Sequence, residues 1–326
     1  MVMAVILFLL GFLLLIKGGD WFVDGATAIA ERFHLPDILI GATVVSIGTT
    51  LPEVMVSAQA ALQHNSGISY GNAIGSIICN TSLIAAITIA AKPGPVNRDS
   101  LKLPAFAFFI AATIYSLIAY TQGAFSRWEG IMFLCLFVAY MVISVKQMTG
   151  PNKQPEEKAE ETEGEEKKES SLGKEILLLV IGAVAIAIGA DLLVDNGTKI
   201  AAALGVPDSV IGLTMVALGT SLPELITAIT SLMKGHGSLS LGNVIGANLF
   251  NIVLVSGTAI TISPFAIPAE KTLFGINSSL LVDIPVMMGV MLLLCVPALK
   301  KGRLYRWQGI TLLCIYALFT LYQFLI

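Results

Sequence analysis

The sequence predicts an all-α integral membrane protein with ten transmembrane helices arranged as two inverted five-helix repeats. Three observations predict it. The 326 residues are 56% hydrophobic and only 13% charged, and the charges gather in short loops. Windows of about 20 apolar residues recur, each long enough to cross a bilayer. One half of the chain also returns in the other. Gly41–Asn80 aligns without a gap on Gly212–Asn251, with Glu53 falling on Glu224, Pro52 on Pro223, Thr49 on Thr220, Asn72 on Asn243 and Asn80 on Asn251. The apolar runs are continuous rather than alternating, which argues against a β-barrel.

Spanning segments are expected near 2–30, 38–63, 70–92, 101–121, 126–147, 174–203, 209–233, 241–263, 277–298 and 305–325. The first reads as a structural helix and not a cleaved signal. It has no positive n-region, and its pattern returns in Ile176–Ala203, with Asp20 on Asp191 and Asp24 on Asp195. These aspartate pairs read as interfacial caps, with an ion-entry role as the alternative, and Asp283 as structural. The halves are 1–147, with its motif at 38–92, and 174–326, with its motif at 209–263. Between them, 148–173 carries the run Pro155–Glu166, too acidic and polar to bury a core. It is expected to be a disordered cytoplasmic linker, with a calcium-sensing role as the alternative.

Arg127-Trp128-Glu129-Gly130-Ile131 returns as Arg306-Trp307-Gln308-Gly309-Ile310, where the spacing has grown from 171 to 179. The second half therefore carries about eight extra residues after Asn251, expected in the loop around Pro264–Lys271. Five helices per half is an odd number, so the second half must enter the membrane from the opposite face. Arg32, Lys92, Arg98, Lys102, Lys234, Lys300, Lys301, Arg303 and Arg306 fall on one side; Arg127, Lys199 and Lys271 fall on the other. That bias predicts a multi-pass protein of the cell membrane with both termini outside and the linker cytoplasmic.

The repeated stretch holds the chemistry. A charge at the centre of a spanning helix costs roughly 2.5–3.5 kcal/mol, yet Glu53 and Glu224 both lie mid-segment, with no Lys or Arg in either segment to pair with them. Pro52 and Pro223 remove a backbone donor and crowd the carbonyls of Gly48 and Gly219, so unwinding is expected over 48–52 and its copy. Freed carbonyls in a bilayer need a partner, and a cation is one; a plain kink is the alternative. Asn72, Ser76 and Asn80 recur every fourth residue, as do Asn243, Ala247 and Asn251. Polar glue between helices is the other reading of these asparagines. Gly71/Gly75 and Gly242/Gly246 form GxxxG pairs that let helices approach.

The donors are all oxygen: two carboxylates, the hydroxyls of Thr49, Thr50, Thr220 and Ser221, amides and carbonyls. Such a set suits Ca²⁺. His34, His64 and His236 fall in loops and Cys79 aligns with Phe250, which disfavours zinc, copper and iron. Cys79, Cys135, Cys295 and Cys314 all lie in apolar segments and are expected reduced. The small net charge of −3 gives no ground for a nucleic-acid partner, and no obligatory protein partner or cofactor is evident.

GTTLPE with GNAIGSIICN, and GTSLPE with GNVIGANLFN, resemble the two α-repeats of the calcium/cation antiporters, most closely the prokaryotic sodium/calcium exchangers. The resemblance covers nearly the whole chain. It implies exchange of three Na⁺ for one Ca²⁺ by alternating access, and no enzymatic activity. By motif position, Glu53, Glu224, Thr49 and Thr220 would hold Ca²⁺. Na⁺ would draw on Thr50, Ser76, Ser221, the glutamates, and the carbonyls of Ser46 and Ala217, with Asn80 and Asn251 lining the centre. Ala247 departs from the family's usual Ser, which weakens one Na⁺ position. Asn251 stands where potassium-dependent members have Asp, which argues against a K⁺ requirement. A Ca²⁺/H⁺ antiporter is the alternative, since two carboxylates sharing a site can hold a proton. A cation channel or an intramembrane enzyme explains fewer of the residues.

Overall fold

The computed structural model describes residues 2–149, 171–204, 219–269 and 272–325. Most of the predicted linker and the start of the seventh predicted segment, 209–218, lie outside the described residues. Ten helical segments form among the rest: α1 (Val2–Phe33), α2 (Asp37–Leu62), α3 (Ser66–Ala91), α4 (Arg98–Gln122), α5 (Arg127–Thr149), α6 (Leu172–Ala203), α7 (Leu222–Met233), α8 (Gly237–Ile262), α9 (Ser279–Lys301) and α10 (Arg306–Leu325). Eight of them are long and apolar enough to cross a membrane, all but α7 and α10. The chain is an all-helical membrane protein.

Local chemistry sets the helix ends. Asn65 accepts from Ile68 N at 3.1 Å and starts α3. Asn97 caps α4 through Asp99 N and Ser100 N at 3.0 and 3.1 Å. Gly123 and Gly302 end α4 and α9 with φ of 67° and 62°, a left-handed turn that glycine adopts without strain. One element went unforeseen: Thr272–Leu273 pairs antiparallel with Ile276–Asn277 just beyond the loop expected to hold the extra residues. Phe274-Gly275 turns this hairpin with φ of 54° and 76°.

The centre is made by α2, α3 and α8. In the central windows of α3 and α8, 78% of residues are buried, against 22% for α1 and α5, so the latter lie outermost. α8 crosses α2 backbone to backbone. A Cβ on Gly242 would stand 2.2 Å from Ile38 O, and one on Gly246 2.5 Å from Ala42 Cα. The residues that would pack in the same way on Gly71 and Gly75 are 209 and 213, outside the described residues. On the periphery, α1 and α6 also pack closely: a Cβ on Gly11 would meet Gly189 O at 2.8 Å, one on Gly18 would meet Gly182 O at 3.0 Å, and one on Gly25 would meet Leu179 N at 2.6 Å.

Several contacts come in pairs. Arg127 reaches Ile262 O at 3.4 Å, and Arg306 reaches Ala91 O at 3.4 Å. A Cβ on Gly130 would meet Thr261 N at 2.6 Å, and one on Gly309 would meet Ala90 N at 2.7 Å. Bridges join Ala124 to Ala266 and Pro95 to Arg303. Phe137 stacks edge-on to Phe250, and Tyr316 hydrogen-bonds Cys79 Sγ at 3.8 Å. In each pair the members are related by the sequence spacings of 171 and 179. Thus α5 covers the end of α8, and α10 covers the end of α3.

Arg32 forks onto Glu175 at 2.7 and 2.8 Å, Lys234 meets Asp24 at 2.7 Å, and His236 meets Asp37 at 2.8 Å. These groups share one end of the bundle. His64 and Ser263, 3.0 Å apart, mark the other.

Candidate functional site

Both glutamates are fully buried, Glu53 on α2 and Glu224 in the first turn of α7. They are close enough to act on one another electrostatically. Among the described residues none of their four carboxylate oxygens has a hydrogen-bond partner. Pro52 and Pro223 line one small cavity of about 10 Å³ between them, with Phe22, Gly48, Thr49, Ala183, Ile186 and Ala187 completing its wall. A buried polar atom without a partner is costly, and two bare carboxylates in one low-dielectric interior compound that cost.

Further buried oxygens belong to the same repeated stretches. Thr50 Oγ1, Ser221 Oγ, Asn80 Oδ1 and Asn251 Oδ1 are buried and unpartnered. Asn251 spends its amide on Ala247 O at 3.0 Å, which leaves the carbonyl oxygen available. Ser76 is buried on α3, and Thr220 is partly buried in the turn before α7. Ala217 lies outside the described residues. Asn80 and Asn251 each open a π-helical stretch, Asn80–Ala85 and Asn251–Ser256, where the widened turn releases backbone groups from the regular ladder.

Ser46 and Thr49 tie α2 to α8. Thr49 Oγ1 stands 3.2 Å from Asn243 Oδ1, while Ser46 Oγ lies 2.7 Å from Gly41 O and 3.0 Å from Asn243 O. Thr49 thereby also braces the site; Ser46 O stands 3.5 Å from its hydroxyl.

Three expectations need correction. Helix α2 runs unbroken through Pro52, where unwinding was expected. The proline deletes one bond, its neighbours hold, and the crowded carbonyl belongs to Gly48. A π-helical stretch lies instead at Gly41–Val45. In the second copy α7 starts at Leu222 after turns at 220–221, and the residues just before 219 lie outside the described ones. Secondly, Asp20 and Asp24 cap nothing: they sit within α1 and pair with Lys234 at 3.5 and 2.7 Å. Asp191 and Asp195 likewise sit within α6. Thirdly, sequence reasoning missed a buried knot in which Asn248 donates to Thr81 Oγ1 at 2.7 Å and Met291 Sδ lies 3.2 Å from both. Neither Asn248 nor Thr81 has a polar copy in the other half, so the repeat gave no signal. Asp283 accepts from Gln323 at 3.0 Å, in keeping with a structural role. The four cysteines are free.

Among the described residues no cluster of three or more His, Cys, Asp or Glu could hold a metal. The site instead has two carboxylates and a shell of neutral oxygens, a donor set for hard cations.

The family model of the sodium/calcium exchanger protein matches residues 3–146 and 174–325. The chain belongs to that family. The exchanger is 37% identical over 318 residues to the uncharacterized membrane protein MJ0091 of Methanocaldococcus jannaschii, covering 97% of this chain and 96% of that one. It is 32% identical over 352 residues to the sodium/calcium exchanger MaX1 of Methanosarcina acetivorans, covering 98% of each. Among solved structures it is similar to the sodium-calcium exchanger NCX_Mj soaked with Na⁺ and Sr²⁺, with a TM-score of 0.82, 34% identity and 97% of both chains covered.

Proposed function

We propose that the protein is an electrogenic antiporter exchanging three Na⁺ for one Ca²⁺ by alternating access. One observation carries the reading: two repeat-related carboxylates are fully buried and close enough to act on one another electrostatically, and none of their oxygens has a hydrogen-bond partner among the described residues. The pair holds two negative charges, which one Ca²⁺ or two Na⁺ balance. Ca²⁺ takes six to eight oxygens, drawn here from Glu53, Glu224, Thr49 and Thr220. Na⁺ uses Thr50, Ser76, Ser221 and the carbonyls of Ser46 and Ala217, with Asn80 and Asn251 at the centre. A third Na⁺ leaves one charge to move with the field, which adds about 2.3 kcal/mol at 100 mV.

The paired contacts described above support two inverted five-helix halves, with ten spans in all. The clustering of Arg32, Lys234 and Arg303 near one end of the bundle supports a cytoplasmic face there, with both termini opposite.

The test is Ca²⁺ flux in sealed vesicles with Na⁺ and H⁺ gradients imposed separately. Flux should follow the Na⁺ gradient at clamped pH and respond to membrane potential. Flux that ignores Na⁺ and follows pH overturns the reading in favour of Ca²⁺/H⁺ exchange. Flux that needs no counter-ion favours a channel.

A further inference from the structure

The hairpins α2–α3 and α7–α8 share a plan but use their polar groups differently. Chain reversal at 63–65 sets Ser57 level with Asn72. Asn72 Nδ2 donates to Ser57 Oγ at 2.9 Å and to Glu53 O at 3.0 Å, and Ser69 Oγ donates to Ser57 O at 3.1 Å. This ladder closes on itself.

The second ladder stays open. Ala228 stands where Ser57 does, so Asn243 Nδ2 lacks the acceptor that Asn72 has. Thr227 and Ser231 replace Val56 and Ala60. Thr227 Oγ1, Ser231 Oγ, Ser240 Oγ and Asn243 Nδ2 are all buried and without partners among the described residues. Glu224, Thr227 and Ser231 follow at i, i+3 and i+7 on the buried face of α7, descending about 10 Å from the carboxylate toward the turn at 234–236. The same reversal near 235 sets Ser240 level with Ser231, and Asn243 level with Ala228, the neighbour of Thr227.

Several hydroxyls that pack inside this protein find a partner in their own helix. Thr27, Thr43, Thr81 and Ser116 each donate to the carbonyl four residues back, at 2.6–2.9 Å. Thr227 and Ser231 do not. A row of unspent donors and acceptors leading away from a charged site suits water and a partly hydrated cation. At the far end Lys234, the basic residue at this turn, is drawn aside onto α1 by Asp24.

We propose that Thr227, Ser231, Ser240 and Asn243 line an aqueous passage for the cation between Glu224 and the Lys234 end of the molecule. It rests on the antiport reading for its cargo but not for its geometry. The first hairpin, sealed by Ser57, Asn72 and Ser69, offers no equivalent route along its own helices.

The test uses the full chain with Cys79, Cys135, Cys295 and Cys314 replaced by Ala, carrying Thr227→Cys, Ser231→Cys or Ser240→Cys singly, in proteoliposomes of known sidedness. A cationic, membrane-impermeant methanethiosulfonate should modify all three at least ten-fold faster from the Lys234 side than from the other, and Ca²⁺ should slow the reaction. Ala60→Cys, the copy of Ser231, should react at least ten-fold more slowly than Ser231→Cys from either side. Labelling needs no transport, so variants with poor flux still report. Unmodified cysteines at 227, 231 and 240, or equal rates for 60 and 231, overturn the passage. Labelling as expected in a protein whose flux ignores Na⁺ overturns the antiport reading and leaves the passage standing.

Discussion

Lys234 Nζ stands 2.7 Å from Asp24 Oδ1, and the residue at its place in the other hairpin is Gln63. The ion pair thus binds α7 to α1 at one end of the molecule only. Asp191 and Asp195, the copies of Asp20 and Asp24, are exposed. A partly exposed pair contributes about 0.2–1 kcal/mol, enough to bias two conformations up to about five-fold. Lys234→Ala should raise the fraction open on the Lys234 side by about that factor, and labelling of Ser231→Cys in the same background reads it. Unchanged labelling would deny the pair any part in the balance.

Glu53→Gln and Glu224→Gln keep the shape and remove one charge of the site. Each should abolish Ca²⁺ uptake while the protein still inserts and elutes as wild type does from a sizing column. Full transport by either variant refutes the site.

Protons and Ca²⁺ compete for the same carboxylate oxygens. A protonated carboxyl has lost the charge that draws Ca²⁺, so uptake at fixed subsaturating Ca²⁺ should fall as pH drops from 8 to 5 and recover when Ca²⁺ is raised. A flat profile counts against carboxylate ligation.

Gly242→Ala places a methyl group 2.2 Å from Ile38 O, a backbone atom that cannot swing away. Overpacking of this kind typically costs about 1–3 kcal/mol, read as a lower melting temperature in detergent. Gly289→Ala, where no described atom comes within 4 Å, should melt as the parent does.

Ala247 is buried where the first half has Ser76. Ala247→Ser supplies the missing hydroxyl and should lower the Na⁺ concentration needed for half-maximal Ca²⁺ efflux several-fold. No change would mean that Na⁺ does not visit this position.

Much of the site could be read from the residues because it is written twice. The alignment of Glu53 with Glu224 and of Asn80 with Asn251 singles out groups that the structure buries in both halves. What escaped is what the halves do not share. Asn248, Thr81 and Met291 gather from three helices with no periodic signature. The partner of Asp24 is 210 residues away, so only the folded chain reveals it. Proline reads as a breaker by its local chemistry, yet one lost bond does not break α2, whereas Pro223 sits in the first turn of α7, where no bond is lost. The sources of cover for α3 and α8 were equally hidden, since sequence order puts α5 and α10 in separate halves.

That cover bears on how the protein is made. The end of α3, at Ala90 and Ala91, meets Arg306 of α10, a helix synthesised long after it. Until α10 arrives, the first half lacks one of its walls, although all five of its own helices have been synthesised. The first half is therefore completed only once α10 is in place, and disruption of α10 should harm the N-terminal half as much as the C-terminal one.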